Sequence, residues 1–177
     1  MDDINGAVLE TARLRLRRLR PDDFGNLCLI LQDAEAMYAY EHAFSDREVR
    51  EWLDKQLGNY ERYGFGLWAV ELRGSGEFIG QCGLTMQGTP QGERLEVGYL
   101  FCRAHWHRGY ATEAAAACMD YAFGALGADE VCSIIRENNL ASRAVAERNG
   151  LVPEGRFTKH YYGVEMPHIV YVKRKKF

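Results

Sequence analysis

Near the N-terminus Leu14, Leu16 and Leu19 alternate with Arg13, Arg15, Arg17 and Arg18. A period close to two predicts a half-buried strand with the arginines on its solvated face. The period then changes. Pro21-Asp22-Asp23 offers helix-start chemistry, and Phe24, Leu27, Cys28 and Leu31 stand at i, i+3, i+4 and i+7, which predicts a helix running to about residue 33. Ser45 followed by Glu48 forms a capping-box pattern, and Val49, Trp52, Leu53, Gln56, Leu57 and Tyr60 keep one face nearly apolar, so a second helix is predicted near 46–63. Between the two, Met37-Tyr38-Ala39-Tyr40 is an aromatic segment suited to lining a pocket or to plain packing.

From Phe65 the texture becomes that of strands. Runs at 65–72 and 78–86 flank the turn Arg73-Gly74-Ser75-Gly76 and predict a hairpin; 88–94 reads as a loop and 95–101 as a further strand. An Ala-rich helix is predicted over 111–123, stopped by Gly124 and Gly127, then a buried strand at 131–135 and a short helix at 141–148 ended by Asn149-Gly150. Closing strands are predicted at 151–157 and 168–173, with Tyr161-Tyr162-Gly163 on their connection. The order is strand, two helices, three strands, helix, strand, helix, two strands. It implies an α/β domain in which one mixed sheet carries helices on both faces.

Composition narrows the classes. A chain of 177 residues, 47% apolar and 12% aromatic, suits one domain over 1–177 with a single core. Lys and Arg number 22 against 25 acids, a net charge of -3, so bulk nucleic-acid binding is not expected, and the run Lys173-Arg174-Lys175-Lys176 reads as a solvated end. Residues 1–10 are acidic and lack the layout of a signal peptide, and no apolar run approaches the ~20 residues that span a bilayer; a cytoplasmic protein without membrane attachment is expected. The five cysteines are odd in number and widely spaced, which suits buried thiols. Cys102, His105 and His107 lack a second pair at structural-zinc spacing, so no metal is expected.

The stretch from Leu95 to Ala117 carries the chemistry: a strand, a short basic loop with Gly109, then a helix. Free backbone N–H groups and the positive end of the helix dipole make such a turn a phosphate cradle. Glu96 faces away from Leu95 and Val97, on a wet face or in a cleft.

Two segments, Gly-Tyr-Leu-Phe…His-Trp-His-Arg-Gly-Tyr-Ala-Thr-Glu-Ala and Asn139 through Leu151, resemble the Gcn5-related N-acetyltransferases, and within them the branch of the ribosomal-protein N-terminal acetyltransferases. The likeness covers nearly the whole chain. It implies a central mixed, mostly antiparallel sheet of about six to seven strands, splayed between the fourth and fifth. It also implies acetyl transfer from acetyl-CoA to a primary amine by direct attack in a ternary complex, with no metal. The family's loop pattern opens on Gln or Arg where this chain has Trp106. On that resemblance the amides from His107 through Arg108, Gly109, Tyr110 and Ala111 to Thr112 bind pyrophosphate, with the Arg108 side chain adding charge. Backbone groups at Leu100, Phe101 and Cys102 pair with pantetheine, and one N–H, from Leu100 or a neighbour, holds the oxyanion.

Asn139 corresponds to a cofactor-contacting Asn, although its position also suits a helix cap. Ser142 corresponds to the proton donor to the leaving thiolate, with Tyr161 or Tyr162 as substitutes. Glu96 is the first choice for the general base, against the alternative of a cross-strand partner to an arginine. His168 stands where the branch more often has an acid. Two other functions are weighed beside the enzyme: a non-catalytic acyl-CoA-binding regulatory module, and an RNA-associated protein using the basic N-terminal strand and tail. The acceptor, a protein N-terminus or a small-molecule amine, is left open, as is the choice of monomer or homodimer.

Overall fold

A computed structural model describes residues 6–176. The first residues of the acidic N-terminal stretch lie outside it. Eight strands form one sheet: β1 (Ala7–Glu10), β2 (Leu14–Arg18), β3 (Leu67–Leu72), β4 (Phe78–Thr89), β5 (Gly92–Phe101), β6 (Glu130–Arg136), β7 (Val152–Tyr161) and β8 (Val164–Arg174). Their spatial order is β1-β2-β3-β4-β5-β6-β8-β7, and every pairing is antiparallel except β5 with β6. Helices α1 (Phe24–Leu31), α2 (Asp46–Tyr63), α3 (Tyr110–Gly124) and α4 (Leu140–Arg148) cover both faces of this open sheet.

The elements follow from local chemistry. Ser45 and Glu48 cap α2 reciprocally, and Gly64 ends it in the left-handed conformation at φ 78°. In α3 four of the five buried residues, Ala114, Ala115, Cys118 and Ala122, are small, the fifth being Met119, so the helix lies close against β4 and β5. Gly83 is required by the sheet itself. A Cβ there would stand 2.1 Å from the Gly66 carbonyl oxygen.

Four expectations are corrected. β1 adds a strand on the edge, giving eight where six to seven were expected. Residues 88–94 are no loop: β4 and β5 stay in register to Thr89 opposite Gly92, leaving Pro90-Gln91 as a two-residue turn. β7 and β8 likewise run on to Tyr161 and Val164, joined by Tyr162 and Gly163 at φ 51° and 73°, the paired positive φ of a hairpin turn. Arg17 is not solvated. It is 7% exposed and held by Asp23, at 2.8 and 3.0 Å, and by Glu71 at 2.7 Å. A buried guanidinium needs that enclosure by carboxylates. The basic tail is exposed from Arg174 to Lys176, as a solvated end should be, with its side chains fastened to the surface: Lys173 Nζ donates to the Asn149 carbonyl at 2.8 Å, Lys175 Nζ to that of Phe123 at 3.1 Å, and Arg174 pairs with Glu154.

β5 and β6 pair at one point, Glu96 with Cys132, and diverge beyond it. Side chains bridge the opening fork. Ser133 Oγ donates to the Val97 carbonyl at 3.2 Å, and the Ile134 N–H donates to Glu96 Oε2 at 2.8 Å. On the other side of β5 the Cys102 N–H donates to the Ile79 carbonyl at 2.9 Å. Alternation along an antiparallel pair then turns the Leu100 groups toward β4 as well, and the Leu100 carbonyl oxygen lies beside Gly80, 2.8 Å from where its Cβ would be. The backbone groups of Tyr99 and Phe101 are those that look into the slot.

Candidate active site

Two cavities open along this fork. A groove of about 430 Å³ runs past Phe101, Trp106, His107, Gly109, Tyr110, Ala111 and Thr112 to the face of α4. A second cavity, about 220 Å³, lies between α2, β5, β6 and the β7–β8 hairpin, and is lined among others by Tyr40, Trp52, Glu96, Tyr161 and His168. They meet at Ala36, Tyr99, Leu100, Asn139 and Ser142, which border both.

The groove's floor is built by the β5–α3 loop. Gly109 stands before α3 at φ 80° and His107 at φ 60°, so the chain turns sharply enough to leave the first amides of the helix facing out. Glycine serves here mainly through its φ, because a Cβ would meet only Arg13 Nη2, at 3.4 Å. Trp106 donates its indole N–H to the Phe101 carbonyl at 2.9 Å and pins the loop to the strand end. Arg13 holds the far side, donating to the Arg108 carbonyl at 2.9 Å and to Glu113 Oε2 at 2.7 Å, with its guanidinium 4.5 Å above the Tyr110 ring. Burial works to raise Glu113, but hydrogen bonds from Thr11 and Arg13 hold it below the usual carboxylate range. Sequence reasoning missed Arg13, whose partners lie about a hundred positions away.

Several predicted residues converge. Asn139 Oδ1 accepts the Ser142 N–H at 3.2 Å, capping α4, and also the Tyr38 hydroxyl at 2.5 Å. The cap reading is therefore true of Asn139, and its side chain still borders both cavities. Tyr99 donates its hydroxyl to the Ser142 carbonyl at 2.9 Å, and burial raises its pKa. Glu96, half-buried, lines the second cavity. Burial pushes its carboxyl up to about 7, with Lys159, the Ile134 N–H and Lys55 pulling the other way. Its partner is thus a backbone amide and not the cross-strand arginine that had been the alternative. His168 is 8% exposed, its Nδ1 within 2.7 Å of the Met166 carbonyl, and burial lowers its pKa.

Others stand apart. The Cys102 amide is spent on β4, and its thiol, pushed up to about 11 by burial, packs in the core away from the groove. Cys102 therefore does not join Phe101 on the groove wall, and Leu100 contributes its side chain while its N–H turns toward β4. The Arg108 side chain is exposed outside the groove lining. Tyr161 lines the second cavity, whereas Tyr162, 60% exposed, lies outside both with its ring 4.4 Å from that of His42. Among the described residues no three His, Cys, Asp or Glu side chains stand together as a metal site; His105 pairs with Glu77 at 3.1 Å.

A family model described as an acetyltransferase (GNAT) domain matches residues 13–152, which span the sheet from β2 to the start of β7. The chain belongs to the GNAT acetyltransferase family. This GNAT domain is 39% identical to the Bacillus subtilis (strain 168) protein YkkB over 81% of the chain and 84% of that protein. It is 32% identical to an Aspergillus fumigatus FsC-acetyl coenzyme A-N(2)-transacetylase over 87% of the chain and 68% of the relative. Its fold is shared by RimL, a ribosomal L7/L12 alpha-N-protein acetyltransferase solved with coenzyme A, at TM-score 0.78 and 17% identity, covering 96% of this chain and 98% of that one. The ribosomal-protein branch is thus among its structural neighbours, and acetyl-CoA is the acyl donor that the family uses.

The groove fits that cosubstrate. Outward amides ahead of a 15-residue helix suit a pyrophosphate, and the unpaired edge of β5 beside the apolar face of α4 suits an amide-bearing pantetheine arm.

Proposed function

We propose that this protein transfers the acetyl group of acetyl-CoA to a primary amine by direct attack in a ternary complex. The observation that carries this reading is the meeting of the two cavities at Tyr99, Leu100, Asn139 and Ser142, with Glu96 on the wall of the second. A donor laid along the groove and an amine entering from the cavity would meet there. Acetyl-CoA supplies an activated thioester. The chain supplies position and proton traffic.

Glu96 is the base. A carboxyl that titrates near 7 is half ionised at neutral pH and well matched to taking a proton from an ammonium through water. The Phe101 N–H, facing the slot, is the donor aimed at the developing oxyanion. Ser142 borders both cavities and is the proton donor to the departing sulfur, with Tyr161 the alternative; Asn139 holds the first turn of α4 in place. The N–C amide bond forms as the C–S bond breaks, one proton leaves the amine toward Glu96, and one reaches the thiolate. Direct attack is favoured over an acyl-enzyme because Cys102, at the end of β5, and Cys132, opposite Glu96 at the fork, are buried thiols pushed up to about 11 and 12. Cytoplasmic residence is supported by the five free cysteines, which suit a reducing compartment; no helix among the described residues is long and apolar enough to cross a membrane.

Initial rates of thiol release, with acetyl-CoA and amine both varied, test this. Intersecting double-reciprocal lines are expected. Parallel lines would indicate an acetyl-enzyme, and thermal protection by CoA without turnover on any amine would indicate a binding module.

A further inference from the structure

The second cavity has an uneven charge. Its lining holds one carboxylate, Glu96, against three cations, Lys55 from α2, Arg136 from β6 and Lys159 from β7. Arg136 is already answered by an ion pair with Glu41. Among the described residues neither Lys55 nor Lys159 stands within ion-pair distance of a carboxylate, and the Lys159 ammonium instead lies 5.9 Å above the Phe157 ring and 6.0 Å above that of Tyr161. His168, the remaining basic side chain of the lining, turns its Nδ1 to a backbone carbonyl. Two lysines from elements about a hundred residues apart thus converge on a space whose one acid is occupied in closing the fork.

Resting on the acetyltransferase reading, we propose that the acceptor is a primary amine that itself carries a carboxylate, gripped by Lys55 and Lys159 while the amine faces Glu96. Such an acceptor cancels positive charge on the wall as it enters. A polyamine or an aminoglycoside would add like charge beside two ammonium groups, which disfavours it. The carboxylate has two possible sources, a free α-amino acid or an acidic side chain behind a peptide N-terminus.

Calorimetric titration of the enzyme–CoA complex separates them. The probes are L-alanine against L-alaninamide, Ala-Asp amide against Ala-Asn amide, and spermidine; acetylation of each is measured in parallel. One acid should bind about 10-fold or more tighter than its amide, because a charged hydrogen bond is lost with the carboxylate. Which pair shows the gap identifies the source. Lys55→Gln with Lys159→Gln should shrink the gap to within about threefold and leave CoA affinity unchanged. Equal binding of acid and amide in both pairs, or spermidine as the best acceptor, would overturn the proposal. An acid that outbinds its amide but is never acetylated would uphold the anion site and refute the transferase reading.

Discussion

The Ile134 N–H donates to Oε2 of Glu96 at 2.8 Å, across the gap where their two strands stop pairing. One carboxylate therefore closes the fork and also faces the cavity. Its proton affinity is set by burial against the pull of Lys159, the Ile134 amide and Lys55. Since the base must be ionised, kcat/KM should rise with pH through about 7 and level off above it. Glu96→Gln keeps an oxygen for the Ile134 amide and removes the base. It should lower kcat/KM by roughly 10²–10⁴ and abolish that inflection in a pH–rate profile. An unaltered profile would take Glu96 out of the chemistry.

The same residue sets a stability cost. Its folded pKa, about 7, lies above the ordinary 4.5, so the stability it contributes is full below 4.5 and is lost as pH rises toward 7. At pH 8 Glu96→Gln should be the more stable protein, by on the order of 2 kcal/mol, while near pH 4 the two should match. Chemical denaturation at both pH values checks this. A variant no more stable than the parent at pH 8 would contradict the placement of an ionised group in a desolvated cleft.

Gly109→Val forces a β-branched residue to φ 80° and brings its side chain toward Arg13, which braces the loop. Strain of this kind costs on the order of 1–3 kcal/mol, so the Kd for CoA should rise about 10-fold or more by calorimetry. Unchanged affinity would place the phosphates elsewhere.

Ser142→Ala removes a hydroxyl at the junction of the cavities and leaves the α4 cap intact, because the cap uses the Ser142 amide. Turnover should fall by about tenfold or more with CoA affinity unchanged, as expected when a proton donor is lost. Full activity in steady-state assays would transfer the role to Tyr161.

Much of the fold was legible locally. The Ser45–Glu48 cap, the Ala-rich α3 and the apolar β6 each declare themselves within a dozen residues. Strand ends did not, because Gly88 and Gly92, on either side of the Pro90-Gln91 turn, have poor strand propensity and are paired only by register. Arg17 reads as solvated until Asp23 and Glu71 are seen to enclose it. In the site, the loop was legible from its order of strand, glycine turn and helix, and Asn139 through resemblance, while the contact that defines Glu96 joins residues 38 positions apart and leaves no periodic trace. Lys55 and Lys159 look like ordinary surface lysines in one dimension. Their meaning arises only from sharing a cavity.

The family match ends at residue 152, where β7 begins, yet Lys159, Tyr161 and His168 all reach the second cavity from the β7–β8 hairpin. β7 lies at the sheet's edge and pairs, among the described residues, with β8 alone, and a two-residue turn closes the tip. The hairpin tip is accordingly a module, replaceable by the tip of a relative without rethreading any other strand. One wall of the second cavity can thereby change while the groove along β5 and α3 stays as it is.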